Sequence, residues 1–221
     1  MVCGTRITLS YICAKNMAVY RNLIFDLGGV LLDIDYQRTA RAFHAIGASD
    51  FEQFYSQAAA NPLFERLETG HLTDGEFYNE MRLHCFPGTT DAQILEAWNA
   101  ILLDFRPKSI EYLRQLRAHY RVFLLSNTNH LHYAVFDSLL QTHTGEASLD
   151  GLFEKAYYSF RVGLRKPYES IYRYVLEDAG LNAGETLFID DSPVNIPAPQ
   201  QLGIHTHLLT PGNVIESLDL L

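Results

Sequence analysis

Asn22-Leu23-Ile24-Phe25-Asp26-Leu27-Gly28-Gly29-Val30-Leu31-Leu32-Asp33 is the stretch on which the fold of this chain turns. Residues 22–25 are mostly apolar and stop at a lone carboxylate, which two glycines soon follow. An apolar run that ends abruptly at a charge suits a buried parallel strand, because both of its faces are covered. Gly28 and Gly29 tolerate the dihedrals of a tight exit and let the backbone come close to whatever the carboxylate serves. In open α/β sheets ligands sit beyond the carboxyl ends of the strands, which is where Asp26 falls. An Asp at a strand end is also a common turn or helix cap, so the rest of the chain has to choose between the two.

Downstream the pattern changes character. Residues 30–36 read as a short flap, apolar and then acidic at Asp33 and Asp35. Between 38 and 103 strand-like runs disappear, and the spacing predicts helices over 37–46, 50–60, 73–84 and 90–102. Asp50, Thr73 and Thr90 suit N-caps, and Thr73 with Glu76 makes a capping box. Gly47, Gly70 and Pro87-Gly88 mark the breaks.

Alternation then resumes. A helix over 108–119 precedes a buried strand over 121–125, which ends in Ser126-Asn127-Thr128-Asn129. A helix over 132–140 and a strand over 156–159 lead to Gly163-Leu164-Arg165-Lys166-Pro167. A helix over 169–179 is followed by a strand over 186–189 that ends in Asp190-Asp191-Ser192. A short helix to Leu202 and a strand over 204–208 complete the series; Pro197 and Pro199 make that helix start late. Strands separated by helices in this way predict an α/β fold, a doubly wound parallel sheet of Rossmann-like type, with a small α-helical cap inserted after the first strand. The expected division is an extension over 1–16, a catalytic core over 17–36 and 104–221, and a cap over 37–103.

Composition narrows the function classes. The chain has 221 residues, 48% hydrophobic and 19% charged, an ordinary globular balance with room for one core and a small second unit. Net charge is −9 with no basic stripe, which disfavours nucleic acid as a partner. No apolar run reaches the ~18 residues a membrane span needs. Cys3, Cys13 and Cys85 are odd in number and lack metal-ligand spacing, so they read as free thiols in a reducing cytoplasm. Met17, just ahead of the first strand, suits a start site, which makes residues 1–16 a dispensable extension.

The chemistry lies at the strand ends. Asp26, Ser126-Asn127, Lys166 and Asp190-Asp191 fall at one carboxyl edge. Each alone suits a turn, a cap or a solvated loop. Together they form one chemical unit. Three carboxylates at one edge repel unless a hard cation lies among them, and oxygen-only ligation suits Mg²⁺. A lysine opposite them supplies the positive charge a phosphoryl group needs, and a serine hydroxyl with a loop N–H can hold its oxygens. A carboxylate can also attack phosphorus and form an aspartyl-phosphate that water cleaves.

At these four places the chain resembles the haloacid dehalogenase-like hydrolases. The residues that carry the likeness are Asp26-Leu27-Gly28-Gly29-Val30 after an apolar run, Leu124-Leu125-Ser126-Asn127, Lys166-Pro167, and Phe188-Ile189-Asp190-Asp191-Ser192 with Asn195. The likeness runs from Met17 to the end and includes the insert, with Leu67-Glu68-Thr69-Gly70, Glu76-Phe77 and Trp98-Asn99-Ala100. It implies that Asp26 is the nucleophile, and that Mg²⁺ is held by Asp26, the Gly28 carbonyl and Asp191, helped by Asp190. It further implies that Ser126 and the Asn127 N–H bind phosphate oxygens and that Lys166 neutralises charge, with Gly28 and Gly29 lining the substrate's approach. The substrate implied is a small phosphorylated metabolite of the sugar-phosphate type, closed in by the cap.

One departure stands out. Phosphatases of this family usually carry a second Asp two residues after the nucleophile, as general acid and base; here that place is Gly28. Positioning and electrostatics supply the larger share of the rate, so activity is expected to persist with a stronger dependence on the leaving group, or with Asp33 or Asp35 as substitute donors. A 2-haloacid dehalogenase is the weaker alternative because it lacks paired acids in the fourth motif. A non-catalytic phosphate- or partner-binding module is favoured only by Gly28. Of the histidines, His130 and His132 follow the second motif closely enough to line the cleft, whereas His71, His84, His205 and His207 have no ligand spacing.

Overall fold

In the computed structural model, which describes residues 20–53, 55 and 61–221, the strands are β1 (Asn22–Phe25), β2 (Leu32–Ile34), β3 (Leu102–Phe105), β4 (Arg121–Ser126), β5 (Lys155–Tyr158), β6 (Thr186–Asp190) and β7 (His205–Leu208). The extension over 1–16, Cys3, Cys13 and Met17 lie outside the described residues. β1 is the middle of a parallel sheet in the order β5-β4-β1-β6-β7, with β4 and β6 as its two neighbours.

The apolar runs follow from this placement. In β1, Leu23 and Phe25 face one side with Val122, Leu124, Leu187 and Ile189, while Ile24 faces the other with Phe123, Leu125 and Phe188. Period-two alternation thus fills two cores, so the run shows no polar face. Each fully buried Leu, Ile or Phe contributes about 1.5–3 kcal/mol of transfer free energy.

The helices are α1 (Tyr36–Ala45), α2 (Pro62–Glu68), α3 (Asp74–Arg82), α4 (Asp91–Asn99), α5 (Pro107–Leu116), α6 (His130–Thr144), α7 (Ser159–Val162), α8 (Glu169–Asp178) and α9 (Pro197–Gln201). Ile110, Leu113 and Leu116 of α5 with Phe136 and Leu140 of α6 cover one face of the sheet. Ile171, Tyr172 and Val175 of α8 cover the other. The sheet is doubly wound, as the alternation predicts.

α1 to α4 build the insert around an aromatic core that holds Phe43, Phe51, Tyr55, Phe64, Phe77 and Trp98. Thr73 and Thr90 both close capping boxes, with Glu76 and Gln93. Two features depart from the sequence reading. The predicted helix over 50–60 is represented by a 3₁₀ turn, Phe51–Gln53; residues 54 and 56–60 lie outside the described residues. The insert is also not purely helical. β2 and β3, at its two crossings, pair antiparallel, and α2 adds a helix that the periodicity left unpredicted. Among the described residues, no helix is long and apolar enough to cross a membrane.

Candidate active site

β1 delivers Asp26 to the carboxyl edge with its backbone still in register, since its N–H donates to the Ile189 carbonyl at 2.9 Å. Its carboxylate accepts from the Leu27 N–H at 2.7 Å and lies 2.8 Å from Lys166 Nζ. Lys166 is 1% exposed and also donates to Asp190 Oδ2 at 2.7 Å. Asp190 itself accepts from the Ser192 N–H at 2.8 Å and from Asn195 Nδ2 at 3.0 Å. Asp190 therefore stands behind Lys166 and fixes it, while Asp26 meets the cavity.

The lysine's backbone is fixed as firmly. The Asn127 side chain donates to the Lys166 carbonyl and accepts from the Lys166 N–H, both at 2.9 Å. One amide thus ties the end of β4 to the loop that carries the cation. Ser159 performs the same service for β5, accepting from the Thr128 N–H and donating to its carbonyl. Ser126 is buried and lines the cavity with Asn127.

Burial works to lower the Lys166 pKa, but the Asp190 and Asp26 carboxylates outweigh it and keep the ammonium charged. For Asp26, burial is the largest influence and raises its pKa above the carboxylate range; Lys166 opposes this, and Asp190 and Asp191 reinforce it. A buried carboxylate in that condition lacks positive charge.

Oxygen atoms of Asp26, Asp190 and Asp191 all come within 4.8 Å of one another. An all-oxygen anionic set with one lysine for three carboxylates fits Mg²⁺, which prefers hard oxygen donors and keeps water in its shell. Gly29 makes the set possible. Its φ is +72°, and a Cβ there would stand 2.2 Å from Asp191 Oδ2. Gly29 does not line the cavity; it leaves room for the carboxylate of the fourth motif. Gly29→Ala should therefore displace Asp191 and weaken the binding of added Mg²⁺ by about tenfold or more, the scale of a disturbed ligand shell. Calorimetric titration with MgCl₂ would show it, and an unchanged affinity would contradict the placement.

Gly28 is different. It has no left-handed backbone, and a Cβ would meet Ile34 Cδ1 at 3.0 Å. An isoleucine thus fills the space beside the position where the family carries an acid. Asp33 and Asp35 do not replace it. Asp33 pairs with Arg106 at 2.6 Å, Asp35 caps α1 through the Gln37 and Arg38 N–H groups, and neither lines the cavity. The expectation that the flap supplies a substitute donor is corrected: its carboxylates serve the fold, at the mouth of the insert.

The cavity holds about 330 Å³ between the strand ends and the insert. The insert contributes Tyr36, Tyr55 and Glu68, and the sheet side contributes Arg165, Asn129 and His132. Burial, then the Glu68, Asp191 and Asp26 carboxylates, hold the Tyr36 phenol above its ordinary range, so it remains a hydrogen-bond donor. Arg165 Nη2 lies 2.9 Å from Glu68 Oε2, a near-buried ion pair that joins insert to core without hydrogen-bond alignment. His132 lies in the wall as the spacing suggested, whereas His130 faces Asp74 outside this cavity. Glu68 and Arg165, like Tyr36 and Tyr55, are lining residues that sequence reasoning did not single out as site residues. They are far apart in the chain, and only adjacency to Lys166 could have flagged Arg165.

Comparison with known proteins agrees with this arrangement. The chain matches the haloacid dehalogenase-like hydrolase family over residues 20–203. It is 31% identical over 186 residues to the D-ribitol-5-phosphate phosphatase of Bacteroides thetaiotaomicron, covering 84% of this chain and 90% of that one. A wild-type HAD family enzyme of the same organism, solved in complex with magnesium and inorganic phosphate, superposes with a TM-score of 0.81 at 34% identity. That match covers 90% of this chain and 99% of the other. An aspartate-to-alanine variant of that enzyme, also with magnesium and phosphate, gives a TM-score of 0.85 at 34% identity, covering 90% and 98%. With its parallel sheet, its insert after β1 and four motifs meeting at one edge, the chain belongs to the haloacid dehalogenase-like hydrolases.

Proposed function

We propose that this chain is a Mg²⁺-dependent phosphomonoesterase that hydrolyses a small phosphorylated polyol or sugar, with ribitol 5-phosphate as the leading candidate. The observation that carries the reading is the buried Asp26 carboxylate held 2.8 Å from a buried lysine inside a three-carboxylate cluster. The ribitol-5-phosphate phosphatase and the magnesium and phosphate complexes among its relatives support it.

An Asp26 oxygen forms a bond to phosphorus as the bond to the ester oxygen breaks, and the departing alkoxide takes its proton from water. Water then attacks phosphorus, the Asp26–phosphorus linkage breaks, and carboxylate and inorganic phosphate are released. Lys166 remains protonated throughout and stabilises charge on the phosphoryl oxygens, with Ser126 and the Asn127 N–H beside it. Asp26, Asp191 and the Gly28 carbonyl, with Asp190 behind them, would hold Mg²⁺, which would supply positive charge for the phosphate. The division into a core over 17–36 and 104–221 and a cap over 37–103, and a cytoplasmic setting, belong to the same reading. Its test is phosphate release from ribitol 5-phosphate and a panel of sugar phosphates with and without MgCl₂. No Mg²⁺-stimulated release across the panel would refute it.

Gly28 shapes the kinetics. With an apolar neighbour in place of a proton donor, the rate should fall steeply as the leaving-group pKa rises from aryl to alkyl phosphates. Gly28→Asp combined with Ile34→Ala should flatten that slope, raising rates on poor leaving groups about 10- to 100-fold. A flat slope already present in the wild type would mean that another group donates the proton.

A further inference from the structure

Among the described residues, the buried side-chain polar atoms without a hydrogen-bond partner are Glu68 Oε2, Thr128 Oγ1, His132 Nε2 and Arg165 Nε. All four residues line the one cavity above Asp26. Glu68 Oε2 has its ion pair with Arg165 Nη2 at 2.9 Å, while the other three atoms have no partner; folded proteins rarely leave such groups unmet, and their gathering around one space points to a ligand that meets them. None of them belongs to the phosphate end of the site, which Lys166, Ser126 and Asn127 provide.

His132 is the most constrained of the four. It is 6% exposed, and its Nδ1 lies 2.9 Å from Asn99 Oδ1. An amide oxygen only accepts, so Nδ1 carries the hydrogen and Nε2 presents a lone pair. Trp98 stacks on the ring at 4.8 Å and 11°. Asn129 Oδ1 accepts from both the His132 N–H and the Trp98 indole N–H. The ring is thus held at one nitrogen and on one face. Burial pushes its pKa down to about 3, so it acts as an acceptor and not as an acid.

The composition of the set defines the ligand. His132 and Glu68 offer acceptors, Arg165 Nε offers a donor, and Thr128 can be either. Hydroxyl groups satisfy such a mixture because each both donates and accepts. A second phosphate or a carboxylate does not, because its oxygens only accept, which leaves the His132 Nε2 lone pair unmet, and Arg165 is already ion-paired with Glu68. We propose that His132 Nε2 accepts a hydrogen bond from a hydroxyl on the substrate's carbon chain, and that His132, Glu68 and Arg165 together select polyhydroxylated phosphate esters. This rests on the phosphatase reading and adds to it the residues that choose the substrate.

The test uses two variants that differ in reach. An asparagine amide occupies the place of Nδ1, whereas a glutamine amide extends to the place of Nε2; both lose the stack on Trp98. The readout is the ratio of kcat/KM for ribitol 5-phosphate to kcat/KM for 4-nitrophenyl phosphate, which has no chain hydroxyls. His132→Asn should lower that ratio by about tenfold or more, because a site that hydrogen-bonds a hydroxyl loses discrimination when the partner goes. His132→Gln should restore it to within about threefold of the wild type. Equal ratios in the two variants, or no change in either, would overturn the proposal.

A second measurement needs no change at 132. In Asp26→Asn protein with MgCl₂, the ¹⁵N resonance of His132 Nε2 should shift upfield on adding ribitol 5-phosphate and stay in place with inorganic phosphate. A resonance unmoved by ribitol 5-phosphate would overturn the proposal even if the variants did not fold. Wild-type protein that cleaves the aryl ester but neither binds nor cleaves ribitol 5-phosphate or other polyol phosphates would remove this inference and the polyol substrate with it, and leave phosphoester hydrolysis at Asp26 standing. Protein that binds ribitol 5-phosphate with the His132 shift but cleaves neither ester would keep the inference and remove the catalytic reading.

Discussion

Replacing Asp26 by asparagine should cut Mg²⁺-dependent phosphate release by about 10⁴-fold or more, the scale on which enzymes lose activity when the nucleophile is removed. An amide has no carboxylate oxygen to bond to phosphorus, yet it is nearly isosteric and can still accept from the Leu27 N–H, now 2.7 Å from the carboxylate. The fold should survive, and its response to pH gives an independent check. Asp26 is raised from the ordinary 3.8 to about 8 in the folded, metal-free protein, by burial first and then by its acidic neighbours. A raised acid favours the folded state at low pH, and that advantage is lost as pH climbs from the unfolded pKa towards the folded one. Metal-free wild type should therefore lose stability over that window relative to the Asp26→Asn variant. Thermal melts in chelator at several pH values would show the gap opening. Near-normal turnover by the variant would end the covalent mechanism.

The second large effect concerns Lys166. It lies between Asp26 and Asp190 at 2.8 and 2.7 Å and is almost completely buried. Lys166→Ala leaves two buried carboxylates without their shared cation, a change that typically costs about 3–5 kcal/mol. Proton uptake by one carboxylate offsets part of this, so the loss should be smaller in acid than near neutral pH. Activity should fall about 10³-fold, because removing a preorganised charge from a dry site removes several kcal/mol of transition-state stabilisation. Lys166→Met separates charge from volume, since it fills the channel but carries no ammonium. Both variants should be inactive, with methionine recovering part of the stability in urea unfolding. A methionine variant that retained most of its activity would show that the charge is not needed.

Much of this site is legible in the chain because strands buried on both faces advertise themselves. Asn22 to Phe25, Arg121 to Leu125 and Thr186 to Ile189 each end at a polar residue, and parallel pairing then brings those ends to one edge. Other parts are not legible, for physical reasons. α2 is seven residues long with Phe64 and Leu67 as its buried apolar contacts, too few to set a period, although Asn61-Pro62 is a proper helix start. β2 and β3 are three and four residues long and depend on each other for their hydrogen bonds. From the sequence Gly29 reads as part of the substrate's approach, and only the packing reveals that its missing Cβ makes room for Asp191. The pairing of Glu68 with Arg165 joins residues almost a hundred positions apart, and no local pattern encodes that meeting.

The pairing of β2 with β3 also has a mechanical meaning. The chain crosses between sheet and insert twice, and both crossings lie in this one hydrogen-bonded ribbon. Arg106, just past β3, reaches back to Asp33 and to the Val30 carbonyl, so the ribbon is cross-tied at its base. Gly28 is bridged to Leu32 at its start. Two strands clamped together cannot slide independently, so both crossings keep one register against the loop that carries Gly28 and Gly29 beside Asp26. A substitution that loosened this ribbon would disturb the wall of the cavity and the floor of its reaction centre together.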